Sequence, residues 1–374
     1  KETHFEIVSA ESGKTVFSGE VDTVKAFHGE FQVLDFSRLQ EEGAYRIRIG
    51  TFESQPFIIS SDVYETTVWK LINFLFGERC GCPVPGKHGT CHQDVIARHR
   101  DVSIVYAGGW HDAADVSQES VQTCETAHAL MTVARAVKKE NPILAARLLE
   151  EAQWGLDLVL RTRFGDGYRV SGAGMRRWTD NFIGNFDDVE ARVSNNSFVN
   201  FTIAACEADL YDGFREFDPA LSWKCLDAAK EDFAFACDRF GKIGIECYEM
   251  MEHAHGSALS QYYAAALWAA ALIYRYTGED SYIAKIHEFA EALLLCQETG
   301  EGGLPMKGFF YRDEAHSQIM HSAHQCREHL YAAALTAACE ALPEDPLKEK
   351  WERSLRLYGA YLKGLMKYNA PYGM

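Results

Sequence analysis

Two aspartates three residues apart are the first candidates for chemistry in this sequence. Asp112 and Asp115 follow Gly108-Gly109-Trp110 and come just before a segment of helical periodicity. On a turn, this spacing lets both carboxylates converge on one water molecule, one as the general base and the other as an acceptor that aims the water. A helix N-terminus also favours negative charge. Without further context, Asp-x-x-Asp before a helix is more often helix capping, so spacing alone leaves both interpretations open.

A loop rich in cysteine and histidine precedes these aspartates. Its sulfur and imidazole donors, together with the histidine just before Asp112, are Cys80, Cys82, His88, Cys91, His92 and His111. Two thiolates and two imidazoles form a normal tetrahedral zinc site, and a loop without secondary structure gains order from such a clip. Because Cys-x-x-Cys is absent, free thiols with surface histidines are the alternative interpretation.

Size and charge narrow the class of protein. The 374 residues are 47% apolar, enough for one large core and a smaller module. The net charge of −17 repels phosphate backbones and anionic membrane surfaces, so no nucleic-acid partner is expected. No apolar stretch approaches the roughly 18 residues of a membrane-spanning helix.

Most of the eleven cysteines lie singly in helical segments, which favours buried thiols over a disulfide framework. The oligomeric state is not indicated.

The first 60 residues have the two-residue period of β-strands. Phe31 and Val33 alternate with polar residues, and so do Tyr45, Ile47 and Ile49. Closely spaced turn residues predict a small antiparallel, immunoglobulin-like sandwich over residues 1–60. Four or five strands are visible, against about seven in such a sandwich, so we expect its first strands to be missing.

From residue 61 the apolar period becomes helical. Helices are predicted from about 61 and at about 117–138, 142–163, 197–212, 219–237, 257–277, 280–297, 322–341 and 346–367. Helices of this length joined by short turns are typical of a helical hairpin array or toroid, and Tyr262 to Tyr276 is apolar on nearly all sides, as an inner helix would be. A closed toroid of six hairpins needs twelve helices, and about nine are predicted here. The fold we expect is mainly α: an incomplete (α/α)6 toroid over residues 61–374, preceded by the β-sandwich.

The string from Gly108 to Asp115 resembles the Gly-Gly-Trp-(Tyr/His)-Asp-Ala-Gly-Asp signature of glycoside hydrolase family 9, with Ala114 in place of the usual glycine. Other similar landmarks are Arg79-Cys80-Gly81, Phe217-Asp218-Pro219, Thr277-Gly278 and Pro371-Tyr372-Gly373-Met374. The order of an immunoglobulin-like module and a helical toroid also matches the family. The resemblance covers nearly all of the chain.

The resemblance implies an inverting hydrolase of β-1,4-glucan or cello-oligosaccharides. Asp115 corresponds to the family's catalytic base, and Asp112 to the carboxylate that helps to hold the nucleophilic water. The family's acid is a glutamate near the C-terminus, which we expect to follow residue 374. An exo-β-glucosaminidase acting on chitosan oligosaccharides is an alternative within the class. A non-catalytic glycan-binding protein or fragment is the alternative outside it. Endo and exo action are not distinguished.

Family members with histidine in the signature imply a structural zinc on Cys80, Cys91, His92 and His111. Cys82 could replace Cys80. Calcium is a further candidate ion, for which the sequence locates no ligands. The resemblance also implies a secreted, periplasmic or cell-surface protein.

Aromatic side chains are candidates for sugar stacking, because pyranose C–H faces bury well against rings. We select Trp110, Trp178 and Tyr372, and the polar, aromatic segment 176–181 is the next candidate for a subsite wall. For each of these rings, packing in the core is an equally good explanation.

Overall fold

A computed structural model of the chain describes residues 2–26, 28–112, 116–175, 177–246, 258–300, 306–320 and 327–368. The chain divides into two compact units, one of residues 1–71 with 360–374 and one of residues 72–359. Asp115, Ala114 and Tyr372 lie outside the described residues.

The N-terminal region is an antiparallel sheet. Its strands are β1 (His4–Ser9), β2 (Thr15–Ala26), β3 (Gly29–Leu34), β4 (Gly43–Ile49), β5 (Phe52–Glu53) and β6 (Phe57–Ile59). They are hydrogen bonded in the order β3-β2-β1-β4-β5, with β6 paired to β4. Alternate residues form the core, in which Phe5, Ile7 and Tyr45 are buried. Both predicted strand patterns fall within observed strands, and the described part has six strands rather than four or five.

The described residues contain nine α-helices. They are α1 (Glu65–Gly77), α2 (Ser120–Val137), α3 (Pro142–Arg161), α4 (Ser197–Phe214), α5 (Pro219–Ile243), α6 (Leu259–Thr277), α7 (Ser281–Leu295), α8 (His329–Ala341) and α9 (Lys348–Tyr368). Helix α5 extends six residues beyond its predicted end. The predicted start of α8 at 322 falls among residues that the structure does not describe.

The helices pair as expected for a toroid. α2 packs on α3, α4 on α5 and α6 on α7, while α2, α4, α6 and α8 contact one another in turn. Helices α4 and α6 are buried on nearly all sides, which confirms the prediction of inner helices. Local signals set the ends: Asp218 accepts a hydrogen bond from the Leu221 N–H at the start of α5, and Gly278 ends α6 with φ +68°.

A second sheet among the helices was not predicted. It comprises β7 (Val95–His99), β8 (Val102–Val105), β9 (Gln118–Glu119), β10 (Arg169–Ala173) and β11 (Val189–Ser194), in the order β8-β7-β11-β10-β9. Strands β7 and β11 pair in parallel, and the other pairs are antiparallel. These strands have six residues or fewer and include glycine and arginine, so the apolar alternation is too short to show. Most of these strands lie between the predicted helices, and only β9 falls within a predicted helix, at 117–138, so the sheet adds to the mainly α fold.

Candidate active site and metal centre

The Gly-Gly-Trp-His segment runs beside the residues that follow α1. Trp110 pairs with Arg79 in an antiparallel bridge. The Cys80 N–H donates to the Gly109 carbonyl at 3.0 Å, and the His111 N–H donates to the carbonyl of Glu78 at 2.8 Å. Backbone hydrogen bonds thus bring the cysteine loop and the signature together.

A buried carboxylate on α3 supports both segments from one side. Glu151 is fully buried, and its two oxygens accept hydrogen bonds from Arg79 at 3.0 and 2.8 Å, from Trp110 Nε1 at 2.9 Å and from Arg147 at 3.0 Å. One turn later, Trp154 Nε1 donates to the Gly109 carbonyl at 2.7 Å. The carboxylate therefore balances two guanidinium groups and fixes the Trp110 ring.

Glycines make this close packing sterically feasible. Gly109 has φ +62°, and a Cβ there would lie 2.8 Å from Leu158. A Cβ on Gly155 of α3 would lie 2.2 Å from the Trp110 ring. Both distances are shorter than any ordinary carbon contact.

The loop that carries the two aspartates is closed by hydrogen bonds at its ends. The Asp112 N–H donates to the Ser117 carbonyl at 2.7 Å. The fully buried Gln118 side chain donates from Nε2 to the Gly108 carbonyl at 2.9 Å. The described ends of the loop, at Asp112 and Ser117, are thus held together at the start of α2.

Glu119 is a second carboxyl group beside this loop. Burial raises its pKa to about 7, an effect opposed by the paired guanidinium of Arg192 and increased by the charge of Asp112. A carboxyl group with such a pKa changes its charge near neutral pH. Neither Glu119 nor Arg192 was a sequence candidate, because their pairing depends on the unpredicted sheet.

Four buried sulfur and nitrogen donors gather in the cysteine loop. One donor atom from each of Cys80, Cys91, His92 and His111 lies within 4.8 Å of the other three. Cys82 is half-buried and does not belong to this group. The thiol hydrogen bond between Cys91 and Cys80 lowers the pKa of Cys91 and raises that of Cys80.

The donor distances match a tetrahedral zinc site. With zinc bonds of about 2.3 Å to sulfur and about 2.0 Å to nitrogen, the edges are about 3.8 Å between sulfurs, about 3.5 Å between sulfur and nitrogen and about 3.3 Å between nitrogens. The Sγ atoms of Cys80 and Cys91 are 4.0 Å apart. Cys80 Sγ to His92 Nδ1 is 3.4 Å, and Cys91 Sγ to His111 Nε2 is 3.7 Å. The two imidazole nitrogens are 3.2 Å apart.

The groups around these donors orient them. The Gly81 N–H donates to Cys91 Sγ at 3.3 Å. His92 Nε2 lies 3.3 Å from the Arg177 carbonyl, a contact that directs Nδ1 towards the other donors. The donor chemistry, distances and surroundings therefore fit zinc.

Trp178 covers His92 and His111. Its ring stacks on His92 with centroids 5.5 Å apart and meets His111 edge-on at 5.3 Å, while 52% of the residue remains exposed. Trp110 is only 6% exposed and packs in the core through its contacts with Glu151 and Gly155. The structure thus places the two described tryptophan candidates in different environments, and the Tyr372 candidate lies outside the described residues.

Comparison with known families identifies this arrangement. The family model described as "Glycosyl hydrolase family 9" matches residues 64–359, which include the signature and the toroid helices. The chain belongs to glycosyl hydrolase family 9. A second model, "Cellulase N-terminal ig-like domain", matches residues 1–54.

Two curated relatives illustrate the match of this family 9 chain. Endoglucanase D of Acetivibrio thermocellus is 24% identical over 318 residues, which cover 74% of this chain and 48% of that protein. Cellodextrinase of Butyrivibrio fibrisolvens is 26% identical over 316 residues, which cover 75% of this chain and 56% of that protein. The chain thus spans about half the length of these relatives.

Solved structures show the same fold. A thermostable endoglucanase from Alicyclobacillus acidocaldarius has a TM-score of 0.68 at 18% identity, covering 100% of this chain and 69% of that one. A "Zn-binding triple mutant of GH family 9 endoglucanase J30" has a TM-score of 0.67 at 22% identity, with coverage of 100% and 70%. At these identities the likeness supports the incomplete toroid and nothing finer. In the described part of the chain, no helix has the length and apolarity needed to cross a bilayer.

Proposed function

We propose that this family 9 chain is the larger part of an inverting glycoside hydrolase that cleaves β-1,4-linked glucan or cello-oligosaccharides. The family match over residues 64–359 carries the proposal, because it includes Gly108 to Asp115. The relatives named Endoglucanase D and Cellodextrinase support a glucan substrate. A polymeric glucan does not cross a membrane, so we place the protein outside the cytoplasm.

In this proposal Asp115 is the general base and Asp112 holds the nucleophilic water. The base removes a proton from water as the oxygen attacks the anomeric carbon, and an acid protonates the leaving oxygen on the opposite face of the sugar. Inversion requires about 6.5–9.5 Å between the two carboxyl groups. The bond from the Asp112 N–H to the Ser117 carbonyl supports this role, since it restrains the backbone that carries Asp112.

The test is hydrolysis of cello-oligosaccharides with the product anomer followed by NMR, for both the 374-residue chain and the full gene product. Asp115→Asn should abolish turnover by the active form but spare ligand binding. Asp101→Asn, which alters an exposed carboxylate in the β7–β8 turn, should leave turnover unchanged. Retention of configuration would refute the mechanism. Turnover of chitosan oligosaccharides alone would favour a glucosaminidase, and saturable glycan binding without turnover in both forms would favour a binding protein.

We further propose that Cys80, Cys91, His92 and His111 hold one structural zinc ion. Four protein ligands leave no open position, so the ion would cross-link the loop rather than take part in bond cleavage. Because His111 adjoins Asp112, this cross-link would also restrain the backbone beside the nucleophilic water.

Elemental analysis of dialysed protein should find about one zinc per chain. Cys91→Ser should lose the metal and lower the melting temperature. Cys82→Ser is the matched control, because Cys82 lies outside the donor group, and it should retain zinc. Zinc retained by Cys91→Ser, or lost equally from both variants, would refute the ligand set.

We also propose a boundary near residue 60 between an immunoglobulin-like module and the catalytic domain. The two family models end at residue 54 and begin at residue 64, on either side of that position. Limited proteolysis should therefore cut first between residues 54 and 64. A first cut inside either matched region would contradict this boundary.

A further inference from the structure

A cavity opens between α2, α3 and α4. Its volume is about 620 Å³, within the range of about 300–1,000 Å³ that is usual for small-molecule sites. Small side chains leave this gap between the helices, since Ala134, Ala145, Ala146 and Gly213 all line it. Its floor is the fully buried Met131, whose Cγ would lie only 2.2 Å from a Cβ on Gly213. The packing of these helices therefore depends on glycine and alanine at the cavity.

The cavity is far from the candidate active site, although α2 takes part in both. This helix begins at Ser120, beside the loop that carries Asp112, and lines the cavity from Met131 to Lys138. Arg135 follows Ser120 by fifteen residues, so a helical rise of about 1.5 Å per residue places it about 22 Å further along the axis. A short ligand in the cavity would therefore leave the catalytic loop free.

The charged side chains around the cavity pair with one another. Three basic and two acidic side chains line it, and one more carboxylate lies behind them: Arg135, Lys138, Arg215, Asp212, Glu216 and Asp209. Arg135 Nη2 donates to Asp209 at 3.2 Å and to Asp212 at 3.3 Å, and Lys138 Nζ donates to Glu216 at 2.6 Å. Each of the six groups has an opposite charge within 3.5 Å. The balanced charges favour neither an anion nor a cation, but their polar atoms can exchange hydrogen bonds with hydroxyl groups.

Phe217 gives the cavity an aromatic wall. The residue is 42% exposed, and its ring meets the buried Phe214 edge-on with the centroids 6.0 Å apart. The next residue, Asp218, accepts a hydrogen bond from the Leu221 N–H at 3.0 Å and so fixes the chain at the start of α5. The segment Phe217-Asp218-Pro219 therefore combines a helix cap with a half-exposed ring in a fixed position.

We propose that this cavity binds a short, neutral β-glucan oligosaccharide as a second glycan site. Pyranose rings have apolar C–H faces that pack on aromatic rings, and hydroxyl groups at their edges that bond to charged side chains. An aromatic wall, an apolar floor and a rim of balanced polar pairs complement such a ring. The identity of the sugar rests on the proposed function, whereas the choice of a neutral, hydroxyl-rich ligand rests on the cavity. An occupied second site would hold one stretch of glucan while another stretch is cleaved.

The methyl group of Met131 is a reporter inside the cavity. In the 374-residue chain labelled with carbon-13 at its methionine methyl groups, cellotriose should shift the Met131 NMR signal saturably, with a dissociation constant of about 1 mM or below. The signal of Met366, which is 52% exposed on α9, should not move. An Asp115→Asn background keeps the sugar intact. Inorganic phosphate at the same concentrations should leave the Met131 signal in place, because the cations of the rim are already paired.

Two variants locate the binding. Ala146→Trp fills the cavity from an exposed position on α3 and should weaken cellotriose binding by at least about tenfold. Ala136→Trp is the matched control, because Ala136 is exposed on α2 outside the cavity lining, and it should bind like the parent protein. Phe217→Ala removes the aromatic wall and should weaken binding by about tenfold, which provides a second test if Ala146→Trp does not fold. Circular dichroism verifies the fold of each variant.

Turnover of cello-oligosaccharides separates this proposal from the proposed function. In the active form with Asp115 intact, Ala146→Trp should leave the turnover of cellotriose unchanged. A saturable Met131 response that Ala146→Trp removes, in a protein without turnover, would support the second site and contradict the proposed function. A Met131 signal that cellotriose does not move, that moves equally in a folded Ala146→Trp protein, or that responds to phosphate instead would overturn the second site.

Discussion

Replacing Glu151 with glutamine should strongly destabilise the protein, although Glu151 is not one of the proposed catalytic residues. The side chain is fully buried and accepts four hydrogen bonds, three from guanidinium groups and one from the Trp110 indole. Glutamine has nearly the same shape but replaces one acceptor oxygen with an NH2 donor. The two N–H groups that bonded the lost oxygen would then face the amide NH2, which is itself a donor. The two arginines would also lose their shared counter-ion.

The magnitude follows from the contacts that are lost. If the NH2 group replaces Oε2, the bonds from Arg79 Nη2 at 2.8 Å and from Arg147 Nη2 at 3.0 Å disappear. A hydrogen bond involving a charged group contributes about 1.5–3 kcal/mol, and breaking a buried ion pair costs about 3–5 kcal/mol. Arg79 and Arg147 retain 12% and 22% side-chain exposure and can regain some hydration. We therefore expect a loss of about 3–4 kcal/mol in the free energy of unfolding.

Glu150→Gln is the matched control. This neighbouring carboxylate is 61% exposed and pairs with Arg147 at 3.3 Å, so its loss should cost less than about 1 kcal/mol. The assay is urea unfolding followed by tryptophan fluorescence, with zinc content measured before denaturation. Glu151→Gln should also retain less zinc, because Arg79 and Trp110 directly precede the proposed zinc ligands Cys80 and His111. Equal stability and equal zinc content in the two variants would refute the conclusion that Glu151 holds Arg79 and Trp110 in place.

Three further predictions address packing, pH and capping. Gly155→Ala places a methyl group 2.2 Å from the Trp110 ring and should cost about 1–3 kcal/mol, whereas Gly241→Ala, with open space around it, should be neutral or stabilising; equal melting temperatures would contradict this contact. The folded pKa of Glu119 is about 7, above the unfolded value of about 4.3, so this group's contribution to stability is complete below about pH 4 and is lost as the pH rises towards 7. Glu119→Gln should therefore flatten the fall in melting temperature between pH 5 and pH 7.5, and parallel curves for the two proteins would refute the assignment. Asp218→Ala removes the side-chain acceptor from the Leu221 N–H at the start of α5 and should cost about 1 kcal/mol in chemical denaturation; no change would show that this cap adds no stability.

The helical part of the fold was predictable because its signals are local. An apolar period of about 3.6 residues extends through most of the observed helices, and Asp218-Pro219 and Thr277-Gly278 mark helix ends through capping chemistry. The second sheet was not predictable in the same way. Its strands are short, and β7 finds β11 only in the folded chain.

The residues of the candidate site were likewise only partly predictable from the sequence. The cysteines, histidines and aspartates are visible as residue types at suggestive spacings, although choosing Cys80 over Cys82 depended on the family resemblance. Glu151 sits inside a helix with no pattern around it, and its role depends on Arg79, which is distant in sequence. No local sequence pattern marks residues of this kind, because their neighbours are set only by the folded structure.

The parallel pairing of β7 with β11 also sets an order for folding. The hairpin contacts of β7 with β8 join residues that are close in sequence, and β10 pairs with β11 across a connection much shorter than that between β7 and β11. The pairing of Val95 with Val189 instead closes a long loop. The chain loses the conformational entropy of this loop before the strand contacts form and stabilise the pairing. During synthesis, β7 cannot pair with β11 until α2, α3, β10 and β11 itself have been made. We therefore expect the amide groups that pair β7 with β11 to acquire protection from hydrogen exchange late, after the helical hairpin of α2 and α3.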